Sequence, residues 1–89
     1  MPIAPLRQRI KFHVRRSTAL AATASRLHAR AGKVLERALT ARADGHPRHA
    51  KLLAERAFRV KARAVRHGVR AAFHVSRIVH LRTQVAKLN

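Results

Sequence analysis

Proline punctuates this chain at only three places, positions 2, 5 and 47, which leaves two stretches of about forty residues in which nothing forbids a helix. Between Leu6 and Ala43 the sequence is dominated by Ala, Arg, Leu and Lys, all strong helix formers. This predicts one long helix over about 6–43. Asp44-Gly45-His46-Pro47 then brings together a local hydrogen-bonder, a residue suited to a left-handed helix end, and a proline suited to a first helical turn. A turn is predicted at 44–47. Helix formers return over about 48–88, interrupted only by Gly68, which costs roughly 1 kcal/mol against Ala without forbidding a helix. The expected fold is all-α in a single domain spanning 1–89: a long antiparallel helical hairpin, or a small three-helix bundle if an arm breaks. Gly32 and Gly68 are the favoured break points.

Heptad spacing supplies the packing plan. In the first arm Leu6, His13, Leu20, Leu27, Val34 and Ala41 run beside Ile10, Ser17, Ala24, Ala31 and Ala38. In the second, Phe58, Val65, Ala72, Val79 and Ala86 run beside Ala62, Val69, Ser76 and Thr83, and they read as the facing seam. Folding at Gly45 and His46 sets residue i roughly opposite 91 minus i. Gly68, Ala71 and Ala72 are thereby expected to meet Ala21, Ala22 and Ala24 at a narrow waist. Ala71, Val75, Ile78, Leu81 and Val85 exceed what one partner stripe covers, so self-association or a folded-back segment is expected there.

Charge restricts function more than fold. Lys and Arg number 21 against 3 acids, a formal net charge of +18, which opposes compaction unless something negative is bound. A polyphosphate meets that need best, because each cationic contact also releases condensed counterions. Arg dominates the cations, and its planar fork grips phosphate oxygens better than an ammonium does. Arg56, Arg63, Arg70 and Arg77 recur in sevens with Arg59 and Arg66 in the next row, making the first candidate face. Arg9, Arg16, Arg30 and Arg37 also fall in sevens, and with Arg26 and Lys33 they form a second face. Heptad-spaced guanidinium groups repeat every ~10.5 Å along a helix, so a stripe can follow backbone phosphates without reading bases.

Other chemistries are poorly supplied. Without Cys there is no disulfide framework or thiolate metal site, and His46 with His49 makes too thin a ligand set, so no metal and no cofactor is expected. Glu36 and Glu55, placed opposite each other by the register, resemble a carboxylate pair, but cations at one-turn spacing explain both as salt-bridge partners. No nucleophile constellation or phosphate loop is recognisable, and the chain is read as non-enzymatic. Three Phe, with Phe58 assigned to the seam, leave base stacking poorly provided, which favours duplex over single strand. His67, His74 and His80 are placed near the basic stripe, where they would add charge in mild acid. The longest internal charge-free run, 17–25, is far short of a membrane span, so no transmembrane segment is expected. The first 35 residues lack acids and superficially match a transit peptide, but the same composition continues to the C-terminus.

The layout resembles the bacterial small-subunit ribosomal protein S-twenty family. Ala43-Asp44-Gly45 sits where that family has an Ala-Gly-Asp turn, Gln84-Val85-Ala86-Lys87-Leu88 is similar to its C-terminal ending, and Arg15-Arg16-Ser17 is a looser match. The resemblance implies ribosomal RNA as ligand and a third helix beginning near Gly68. The functional expectation is therefore binding of structured nucleic acid, RNA slightly ahead of DNA. Alternatives are a DNA-compacting viral or nucleoid protein, a scaffold module docking an acidic protein, and a membrane-surface amphipathic hairpin. The matching locations are the cytoplasm, a nucleoid or ribonucleoprotein particle, or a virion.

Overall fold

The architecture is a two-helix hairpin, seen in a computed structural model that describes residues 3–88. Helix α1 spans Ile3–Ala43 and α2 spans Pro47–Leu88, with no strand among the described residues. The turn closes as its residue types require. Gly45 takes φ of 81°, the left-handed region open to glycine. Its amide donates to the Arg42 carbonyl at 3.2 Å, while the His46 amide reaches back to the Ala41 carbonyl at 2.9 Å. These two bonds satisfy carbonyls that the end of α1 would otherwise leave without partners. The His46 carbonyl then accepts from the Ala50 amide at 2.9 Å, and Pro47 occupies the first helical position, where its missing N–H costs nothing.

Neither Gly32 nor Gly68 interrupts its helix. A Cβ at Gly68 would meet nothing within 4 Å, so no close backbone approach selects glycine there. Of the small residues expected to meet at a narrow waist, Ala24 and Ala71 are buried and Gly68 is half-buried, whereas Ala21, Ala22 and Ala72 are exposed. The three-helix alternative, and the helix start near Gly68 that the ribosomal resemblance implies, are not realised.

Contacts divide the chain into two units: Met1–Ala22 with His67–Asn89, here the terminal unit, and Thr23–Arg66, the turn unit. In the turn unit two apolar clusters form the core, one of Val34, Ala38, Ala41, Ala50, Leu53 and Ala57, the other of Leu27, Ala31, Val60 and Ala64. Their numbering follows the expected register, Ala41 pairing in level with Ala50 and Leu27 with Ala64. In the terminal unit Leu6, Leu20, Ala71, Ile78 and Leu81 are buried, Leu6 and Leu81 almost completely. Ser17 joins them and donates its hydroxyl to the Val14 carbonyl at 3.0 Å, so its burial leaves no polar atom wanting.

The seam of α1 is the one its heptads predict, every member being buried or half-buried. The seam of α2 is a different row. Ala50, Leu53, Ala57, Val60, Ala64, Ala71, Ile78 and Leu81 are buried, with His67, His74 and Val85 half-buried in the same series. The expected row, Phe58, Val65, Val69, Ala72, Ser76, Val79, Thr83 and Ala86, is exposed instead, Phe58 by 78%, with only its Ala62 half-buried. Helix α2 carries two heptad-spaced apolar rows, and α1 packs on the one that contains Leu53, Val60, Ile78 and Leu81. Two histidines and several alanines disguise that row in the sequence. Of the surplus expected there, Ala71, Ile78 and Leu81 are buried and Val85 is half-buried in the row that faces α1, whereas Val75 is exposed, as are Leu52 and Phe73, which belong to neither row.

Candidate nucleic-acid interface

The seam positions fix where the cations go. With the α1 seam taken as heptad positions a (Ile10, Ser17) and d (His13, Leu20), and α2 lettered likewise from Ala50 and Leu53, every candidate cation falls at g or c. Arg9, Arg16, Arg30, Arg37, Arg56, Arg63, Arg70 and Arg77 are at g, and Arg26, Lys33, Arg59 and Arg66 are at c. In an antiparallel pair the g positions of both helices flank the same edge of the seam, and c lies just outside g. What the sequence presents as two cationic faces is therefore one side of the helix pair within each unit.

Local geometry agrees in both units. In the turn unit Arg37 of α1 and His49 of α2, both at g, share a groove of about 440 Å³ with Glu36, Thr40, Asp44 and His46. In the terminal unit Arg9 and Arg77, again both at g, act together on His13 from opposite helices. Arg16 and Arg77 are half-buried and the other candidates exposed. Arg26 donates to the Thr23 hydroxyl at 3.1 Å, a surface contact that a phosphate could displace.

The opposite side, at e and b, has another character. In the turn unit Leu35, Leu39, Ala54 and Phe58 line two adjoining grooves of about 390 and 290 Å³, rimmed by Arg42, Lys51, Lys61 and His28. These grooves contain no carboxylate. The g/c side of the turn unit instead places cations at the groove edge, together with Glu36 and Asp44.

Three expectations need correction. Glu36 and Glu55 are both exposed at position f, the outermost line of each helix, and do not face each other. His67 and His74 lie on the packing seam, leaving His80 as the exposed member of the trio at c. Phe58 is outside the seam, and Phe12 and Phe73 are also more than half exposed, at 55% and 59%. No cluster of three His, Cys, Asp or Glu is present among the described residues, and no helix is long and apolar enough to cross a membrane.

Sequence reasoning missed a cross-helix histidine pair. His13 Nδ1 and His74 Nδ1 stand 2.7 Å apart, a hydrogen bond that needs one ring to donate and the other to accept. A seam residue sits among several residues of the facing helix, so His13 meets His74, one turn from the residue that 91 minus i nominates. Partial burial, then the charges of His74, Arg77 and Arg9, lowers the His13 pKa from its ordinary 6.5. The visible signal was a repeated tripeptide, Phe12-His13-Val14 and Phe73-His74-Val75, one copy in each helix. No protein-family model matches the chain, and neither a curated protein nor a solved structure matches it.

Proposed function

We propose that this protein binds structured nucleic acid, without catalysing a reaction on it, by laying the g/c sides of its helix pair along backbone phosphates. The supporting observation is the collection of Arg9, Arg16, Arg70 and Arg77 on one side of the terminal unit and of Arg26, Arg30, Lys33, Arg37, Arg56, Arg59, Arg63 and Arg66 on one side of the turn unit. The chain's three acids, Glu36, Asp44 and Glu55, all lie in the turn unit, so no carboxylate side chain of the terminal unit can offset its guanidinium groups. RNA stands slightly ahead of DNA, with ribosomal RNA the specific ligand implied by the S-twenty resemblance. Cytoplasmic, nucleoid, ribonucleoprotein or virion locations all fit this role.

The test compares the two sides. Arg30→Ala with Arg56→Ala should weaken binding of a blunt RNA duplex at least tenfold, and about equally for unrelated sequences, because phosphate contacts carry no base information. Arg42→Ala with Lys51→Ala, which removes the same charge from the e/b side, should cost much less. Equal losses would remove the basis for the assignment.

The turn-unit grooves favour a second reading, a scaffold role in which Leu35, Leu39, Ala54 and Phe58 receive an amphipathic helix of an acidic protein. The cationic rim of Arg42, Lys51 and Lys61 would repel a second copy of this +18 chain and attract carboxylates. Capture of such a partner that persists after nuclease treatment and is lost in Leu35→Asp would support it.

A further inference from the structure

The terminal unit carries an aromatic cluster that phosphate binding alone leaves unexplained. Phe12 meets His13 at 5.1 Å between ring centroids and His74, across the helix pair, at 6.1 Å. Phe73 meets His74 at 5.3 Å, and the two histidine rings lie 5.0 Å apart. None of these contacts is a parallel stack, with interplanar angles of 69°, 79°, 72° and 41°. Both Phe rings remain more than half exposed at c positions, on the side that also presents Arg9, Arg16, Arg70 and Arg77.

Two large apolar rings on the arginine side are left more than half uncovered. Each has packing on the histidine pair that fixes its place, and each keeps aromatic surface open. Aromatic surface interleaved with phosphate-binding groups is the composition that engages unstacked nucleotides, the ring taking the base and a neighbouring cation the phosphate. An anionic membrane would call instead for a contiguous apolar face, which two rings separated by arginines do not form. We infer that Phe12 and Phe73, steadied by the His13–His74 pair, form a stacking site for unpaired bases of a nucleic acid whose paired stem lies on the arginines. The inference rests on the proposed function and narrows its ligand to stems that carry a loop, bulge or frayed end.

The experiment uses the full chain and two synthetic RNAs with equal numbers of phosphates, a stem with an unpaired adenine loop and a blunt duplex, at one salt concentration near pH 7.5. The protein should prefer the stem-loop by at least fivefold. Phe12→Leu with Phe73→Leu should remove that preference, a loss of roughly 5- to 150-fold per stacked base, and leave duplex binding unchanged. Each single variant should lose part of it, which covers the case of a misfolded double variant, and Phe58→Leu on the other side should lose none. Equal affinity for both RNAs, or a preference that survives in each Phe variant, overturns the stacking site while phosphate binding stands. Failure of the unmodified protein to bind either RNA overturns both. Vesicles of anionic phospholipid that bind in a Phe12- and Phe73-dependent way, with RNA binding indifferent to both rings, would overturn the stacking site and assign the rings to lipid.

Discussion

The two units are cut from the same pair of helices, yet they solve the packing problem differently. The turn unit closes through a glycine-capped turn onto seams of Ala, Leu and Val, and it holds every acid in the chain. The terminal unit places Ser17 and a histidine pair on its seam, leaves two Phe rings exposed, and carries cations without a side-chain carboxylate. One unit is built around apolar contact. The other places a serine and a histidine pair among its seam positions. The lesson is that like heptad frames can carry a wholly apolar seam in one region and a partly polar one in another.

The strongest way to sharpen that contrast is to empty each core in turn. Leu81→Ala in the terminal unit and Leu53→Ala in the turn unit should each destabilise by about 2–5 kcal/mol, measured by urea unfolding. Site-resolved amide exchange should then show protection lost first around the mutated unit. Simultaneous loss everywhere would mean the units do not behave separately.

A smaller effect is expected at the turn. Gly45→Ala forces a side chain into a φ of 81° and should cost about 1–2 kcal/mol, visible as a lower midpoint in the same titration. Gly68→Ala has the opposite sign. Its position is helical and its Cβ would enter open space, so it should stabilise by about 0.5–1 kcal/mol. Loss of stability in Gly68→Ala would reveal a role for that glycine that its surroundings do not show.

Acid should separate the units most cleanly, though with the smallest change in overall stability. Because the His13 pKa is lowered on folding, the unfolded chain binds the proton more readily, and stability rises with pH across this interval. The contribution is complete above about 6.5 and is lost as pH falls through the lowered value. Amide protection near His13 and His74 should therefore weaken between pH 8 and pH 5 while that near Leu53 holds, and His13→Leu with His74→Leu should abolish the difference.

Much of the fold was legible because proline and glycine punctuate it so sparsely. The turn at Asp44 to Pro47, both helices and the full α1 seam follow from residue type and spacing. The α2 seam did not, for a physical reason: two apolar rows compete on one helix, and Ala57, Ala64 and Ala71 make the buried one look weaker beside Phe58, Val65 and Val79, although Leu53, Val60, Ile78 and Leu81 belong to it. Histidines at 67 and 74 further concealed the true row, since a histidine satisfied by another histidine cannot be told from a solvated one until both helices are in place. The arginine positions were legible one helix at a time. Their collection onto one side depends on which α2 row meets α1, so it became visible only with the seam.

Salt dependence bears most directly on the claim that these guanidinium rows engage phosphates. Affinity for a blunt RNA duplex, measured at fixed pH over a range of salt, should fall with a log–log slope of roughly −6 to −7 if about eight cations are engaged. A slope near zero at measurable affinity would contradict the account.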